Sequence, residues 1–161
     1  VFFLPQLMAS AEAVKAGFDL IRDHTQAAAS APGTTNAAGD RAIIVATVQG
    51  DIHDIGKNIV KMLLENYGYT VYDLGRDVEP QAVLDCVREH DIKLVGLSAL
   101  MTTTVGAMER TIQLIHEQLP GTAVMVGGAV ITQEFADQIG ADFYAKDAAA
   151  STRVASAFFD D

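Results

Sequence analysis

An aspartate stands two residues before a histidine in Gly50-Asp51-Ile52-His53-Asp54-Ile55-Gly56-Lys57-Asn58. A carboxylate at that distance can bond one imidazole nitrogen, fix its tautomer and leave the other nitrogen free for a metal. The stretch follows an apolar run, Ala42-Ile43-Ile44-Val45-Ala46-Thr47-Val48, and Gly56 opens a helical pattern. His53 is therefore expected at the carboxyl end of a strand, where open parallel sheets bind ligands. The other histidines, His24, His90 and His116, are scattered and no cysteine cluster joins them, so a zinc site is not expected. Further on, Ser98-Ala99-Leu100-Met101-Thr102-Thr103-Thr104 holds four hydroxyls within seven residues. Two readings fit them: Thr103 or Thr104 caps the next helix, or the hydroxyls line a polar slot and one bonds Asp51. Gly127-Gly128 is either a tight turn or a wall where backbone approaches a ligand closely.

The elements that must position these residues alternate. Strands are expected at about 42–48, 69–73, 93–98, 122–127 and 142–145, and helices at about 56–67, 80–90, 104–119, 131–139 and 148–159. The strands are short continuous apolar runs such as Ala123-Val124-Met125-Val126-Gly127, the pattern of a sheet covered on both faces. Such βα units wind right-handedly into an α/β, flavodoxin-like (Rossmann-like) five-stranded parallel sheet of order 2-1-3-4-5. Its switch point lies between the first and third strands, so the His53 and Ser98 loops should flank one crevice. Ahead of this domain (41–161), residues 5–22 carry Leu7, Met8, Ala11, Val14, Phe18 and Ile21 at helical spacing. Residues 23–40, rich in Ala, Ser, Thr and Gly, read as a linker. The chain opens Val1-Phe2-Phe3-Leu4 without methionine, as a piece of a longer polypeptide would.

Composition removes several function classes. A net charge of −10 over 161 residues argues against nucleic acid and anionic membranes as partners, since both need a basic face. No apolar run reaches the roughly 18 residues of a membrane span. The single cysteine, Cys86, allows no internal disulfide, so a reducing cytoplasm is the expected compartment. Cys86 shares a helical stripe with Val83 and Val87 and is expected in the core. A phosphate-accepting receiver domain would want an aspartate where the third strand ends in Ser98, and neither a Walker loop nor a Gly-x-Ser-x-Gly elbow is present.

Asp51-x-His53-x-x-Gly56, Ser98-x-Leu100 and Gly127-Gly128, in this order over residues 41–161, resemble the signature of cobalamin-binding domains. The longer string from Gly50 to Asn58 is similar to the methyl-transferring branch: methionine synthase and the corrinoid proteins of methanol and methylamine systems. Residues 1–22 resemble the last helix of the helical cap that precedes the domain in that branch. The resemblance implies that cobalamin, or a related corrinoid, binds base-off with His53 as the lower ligand of cobalt. Asp51 would hold the imidazole and Thr104 would complete a relay. Asp54, Ile55, Gly56, Ser98, Leu100, Thr102, Thr103, Gly127 and Gly128 would contact the cofactor and its tail, with Phe3 and Met8 shielding the upper face. It further implies a methyl carrier between methyl-donor and methyl-acceptor modules rather than a complete enzyme. An exposed cap helix could add dimerisation. A cobalamin-responsive regulatory domain is the alternative function.

Overall fold

The computed structural model describes residues 41–160. The expected cap helix (1–22), the linker (23–40), and with them Phe3 and Met8, lie outside the described residues.

Parallel strands β1 (Ala42–Val48), β2 (Thr70–Val78), β3 (Leu94–Ser98), β4 (Ala123–Gly127) and β5 (Phe143–Tyr144) form one sheet of order β2-β1-β3-β4-β5. The order matches the one expected. Helices α1 (Ile55–Asn66), α2 (Pro80–His90), α3 (Val105–Gln118), α4 (Gln133–Gln138) and α5 (Ala148–Asp160) connect and flank the strands. A 3-10 turn at Thr102–Thr104 leads into α3.

All of β1 is buried, because both its faces meet helices. Successive side chains in a strand point to opposite faces, and the core divides accordingly. Ile44, Ala46 and Val48 join Leu84, Val87, Met108, Ile112 and Ile115, the stripes of α2 and α3. Ile43 and Val45 join Leu64, Met125 and Ala155, with Phe158 and Phe159 packed against them, under α1 and α5. Each fully buried aliphatic side chain contributes roughly 1.5–3 kcal/mol. The first cluster is the larger.

Local signals explain the ends. Pro80 stands in the first turn of α2, where its missing N–H costs nothing. Asp91 closes that helix in the left-handed region. Thr132 caps α4 by accepting the Phe135 N–H at 3.2 Å. The C-terminal helix is tied to the start of β1 by an Arg41–Asp160 ion pair, and Arg41 lies over the Tyr69 ring at 5.8 Å.

Two expectations need correction. β2 runs to Val78 rather than ending near residue 73, because its second half stays paired to β1 through register shifts. Thr103 and Thr104 do not cap a helix with their side chains. Among the described residues no helix is long and apolar enough to cross a membrane.

Candidate functional site

The chain leaves β1 at Val48 and turns at once, with the Asp51 N–H bonded to the Val48 carbonyl at 3.0 Å. This turn drops the Asp51 carboxylate into the crevice between the ends of β1 and β3, where it is fully buried. Its Oδ1 accepts the His53 backbone N–H at 3.0 Å and lies 2.8 Å from His53 Nδ1. Its Oδ2 accepts the Leu100 N–H at 2.7 Å and the Thr104 hydroxyl at 3.0 Å, with the Met101 N–H at 3.4 Å. The Thr104 oxygen is also 2.9 Å from the Met101 carbonyl. It has one proton to give, and the charged oxygen is the stronger acceptor.

Burial pushes the Asp51 carboxyl upward, but the backbone N–H groups of His53 and Leu100, the His53 ring and the Thr104 hydroxyl together outweigh it. The net result lies well below the usual carboxylate range. An ionised Asp51 can only accept, so His53 Nδ1 donates to it, and in the neutral tautomer that this selects the lone pair is on Nε2. The imidazole is 44% exposed. Nε2 has no protein hydrogen-bond partner among the described residues.

Around that nitrogen the surface is apolar where a soluble domain would place polar groups. Ile55 is 78% exposed, Ile52 60%, Ile59 43% and Leu100 41%. All four line the mouth of a cavity of about 660 Å³, within the usual range of small-molecule sites. The cavity runs from His53 back along the sheet face that α1 and α5 cover, past Val45, Gly96, Ser98 and Met125 to Ala145 and Ser151. Ser98 is fixed by a 2.9 Å bond between its hydroxyl and that of Thr47.

The glycine pair forms the wall. At Gly128, with φ +136°, an added Cβ would lie 1.9 Å from the Ala99 carbonyl oxygen. At Gly127 it would lie 2.8 Å from that of Ala145. The reason for the pair is close approach of neighbouring backbone, and both residues line the cavity.

Among the described residues no second metal ligand is gathered beside His53 to complete a protein-only metal site. No group of three or more His, Cys, Asp or Glu side chains able to hold a metal occurs among the described residues. The remaining donors must arrive with a ligand.

The family profile of the B12 binding domain matches residues 41–155. The chain belongs to the B12-binding domain family. The dimethylamine corrinoid protein 1 of Methanosarcina acetivorans is 40% identical over 148 residues, covering 91% of this chain and 67% of that protein. The chain thus spans about two thirds of the length of such relatives. The monomethylamine corrinoid protein of Methanosarcina barkeri superposes with a TM-score of 0.77 at 29% identity, covering 98% of this chain and 72% of that one. The methanol:cobalamin methyltransferase complex of the same organism gives a TM-score of 0.73 at 33% identity, covering 99% and 59%.

A cobalt corrinoid is the cofactor of this B12-binding domain. The residues fit such a group. One protein nitrogen suffices because the corrin ring brings its own donors, and a broad apolar mouth suits a large flat ring.

Of the residues expected at the site, Asp51, His53 and Thr104 form one hydrogen-bonded chain. His53, Asp54, Ile55, Gly56, Ser98, Leu100, Gly127 and Gly128 share the cavity. Thr102 and Thr103 are exposed in the 3-10 turn and do not line it. Cys86 is half-buried and packs against the larger core cluster, not near the cavity.

Sequence reasoning missed Gly96, Lys57 and Arg76, which also line the cavity. Gly96 carried a usable signal, since a lone glycine inside a strand often marks close approach. Lys57 carried none. Its ammonium is buried on α1, bonded to Asp73 Oδ1 at 2.5 Å and to Asn58 Oδ1 at 2.7 Å.

Proposed function

We propose that this chain is the methyl-carrying corrinoid domain of a methyltransferase system of the methylamine or methanol type. In this reading the cofactor binds base-off, with His53 Nε2 in place of its own nucleotide base. One observation carries the reading. A buried aspartate lies 2.8 Å from His53 Nδ1, and the half-exposed imidazole lines a cavity whose mouth is apolar.

When bound, the corrinoid supplies an axial position on cobalt that accepts and releases a methyl group. The chain's own residues do the rest. Asp51 would orient the His53 imidazole through Nδ1 and stabilise positive charge on the ring, so that the histidine could hold the corrinoid's cobalt or take up a proton when released from it. Ile52, Ile55, Ile59 and Leu100 offer an apolar seat that excludes water from the lower face. The cavity behind them takes the displaced tail, with Gly96 and Gly127 keeping its wall free of side chains. Separate methyltransferase subunits would act on the exposed face, as the methanol:cobalamin methyltransferase complex suggests. The names of the relatives favour a free-standing corrinoid protein over a methionine synthase module.

The test is corrinoid uptake by the full chain, followed by ultraviolet–visible spectroscopy after gel filtration. The wild-type protein should retain a corrin spectrum, and His53→Ala should shift that spectrum and weaken retention. A protein that retains no corrin, or an unchanged spectrum in His53→Ala, would sink the proposal.

A further inference from the structure

The pairing of β1 with β2 slips twice on its way toward the His53 loop. Val45 pairs with Asp73, Ala46 with Gly75 and Val48 with Val78, so three steps along β1 meet five along β2. Extra residues of this kind bend a strand, re-aim its side chains and gather beside functional sites.

The first slip is built around Asp73. Its Oδ1 accepts the Gly75 N–H at 2.9 Å and the Lys57 ammonium at 2.5 Å, and Gly75 takes φ +85°. The second brings Asp77 to φ +54°, a region that non-glycine residues seldom enter. Such a conformation persists only where its surroundings over-determine it, and it is commonest at functional sites. Here two bonds hold it. The Asp77 N–H donates to the Asp51 carbonyl at 2.9 Å, and Asp77 Oδ1 accepts the Gly50 N–H at 2.7 Å. Both partners lie in the turn that aims Asp51 and His53. Continued without slips, the Val45–Asp73 register would set residue 77 opposite Gln49, whereas Val78 already stands opposite Val48.

We infer that Asp77 is a positioning residue for the cobalt ligand: it clamps the Gly50–Asp51 turn from the neighbouring strand and so sets the height and tilt of His53. The inference rests on the reading of His53 as the axial ligand. It goes beyond that reading by placing part of the ligand's geometry on β2, on a residue that does not line the cavity. Asp77 does not line the cavity and its two bonds go to Gly50 and Asp51, so its effect should appear in how cobalt is ligated more than in whether the domain folds.

The experiment compares Asp77→Ala, Asp77→Asn and Asp77→Gly with wild type, using the full chain grown with nitrogen-15 and loaded with unlabelled cobalamin. After reduction to Co(II), electron paramagnetic resonance separates a protein nitrogen, seen as a doublet, from the cofactor's own base, seen as a triplet. Asparagine tolerates the left-handed region and keeps an acceptor oxygen, so Asp77→Asn should retain the doublet and near wild-type affinity. Asp77→Ala should lose part of the doublet and bind cobalamin roughly five- to tenfold more weakly, the scale of one exposed charge-assisted hydrogen bond. Asp77→Gly supplies the backbone conformation without the acceptor and should resemble Asp77→Ala. Should Asp77→Ala fail to fold, the Gly and Asn variants decide alone. A full doublet and unchanged affinity in Asp77→Gly overturn the inference while leaving His53 as ligand. A wild-type chain with no protein-nitrogen doublet removes the underlying reading as well.

Discussion

Replacing Asp51 by asparagine would leave the number of heavy atoms unchanged and the volume almost so, yet the structure predicts a large loss. The carboxylate receives the His53 N–H, the His53 ring, the Leu100 N–H and the Thr104 hydroxyl, divided between its two oxygens. An amide offers one acceptor and one donor group, so one side must turn an NH2 toward existing donors. If it faces Leu100, Thr104 can rotate to donate to the Met101 carbonyl, which is already 2.9 Å away, but the Leu100 N–H is stranded. If it faces His53, the backbone N–H there is stranded, and the ring can accept the new donor only by moving its proton to Nε2. Each stranded buried donor costs about 1–3 kcal/mol, and the bonds that lose charge assistance cost about 1 kcal/mol each. The sum is about 3–5 kcal/mol, a large share of the roughly 5–15 kcal/mol that stabilises a typical domain. Urea unfolding of wild type and Asp51→Asn, with slopes compared to confirm a common unfolded state, measures it. A loss below about 1 kcal/mol would refute the account of Asp51 as a four-donor hub. In the second orientation His53 would also no longer present a free Nε2, so cobalt coordination should weaken together with stability.

Acid should act through the same carboxylate. Its folded pKa is depressed, so its contribution to stability is fully present above the unfolded carboxylate pKa of about 4 and is lost progressively as pH falls toward the folded value. Acid-unfolding curves of wild type should therefore be steeper below about pH 4 than those of Asp51→Asn, and coincident curves would count against this. At the glycine wall, Gly128→Ala should destabilise by more than about 3 kcal/mol or fail to fold, because its Cβ would meet the Ala99 carbonyl at 1.9 Å. Wild-type thermal stability in that variant would show that the approach of β3 to β4 is looser than it is drawn here. Ile55 makes the opposite test. It is 78% exposed, so Ile55→Glu should shift stability by less than about 0.5 kcal/mol while weakening cobalamin binding severalfold in a spectroscopic titration. Equal affinity would remove Ile55 from the corrin seat.

The apolar runs of β1, β3 and β4 made the sheet legible, because burial on both faces leaves an unbroken signature. The strand order followed from crossover handedness, and with it the meeting of the His53 and Ser98 loops. Residue spacing alone brought Asp51 to His53, a contact two residues apart. The Thr104 contact, 53 residues away in sequence, needed the fold and was open to the competing reading of a helix cap. What stayed hidden depends on details no periodicity carries. Lys57 looks like any helical lysine on a solvated face until Asp73, on another strand, is seen to hold it. Asp77 sits at the clamp only because β2 slips twice, and a slip leaves no mark in an apolar pattern. Thr102 and Thr103 were assigned to the cavity for their hydroxyls, but the tight 3-10 turn sends them to solvent while burying Thr104.

Asp51 joins three strand ends through one residue. Its side chain holds the loop after β3 through Leu100 and Thr104, and holds His53 on the loop after β1. Its backbone carbonyl holds β2 through Asp77. The group that sets the histidine's tautomer is thus the same group that closes the crevice. A force on His53 Nε2 along the axis of a ligand passes through a 2.8 Å bond to Asp51 and from its other oxygen to the Leu100 N–H at 2.7 Å. Leu100 is itself one of the exposed apolar residues at the mouth. The path from the imidazole to the backbone of the β3 loop is therefore one buried side chain long. A buried carboxylate that accepts two backbone N–H groups and the imidazole ties the histidine to both loops at once, and hydrogen bonds in such a buried network reinforce one another.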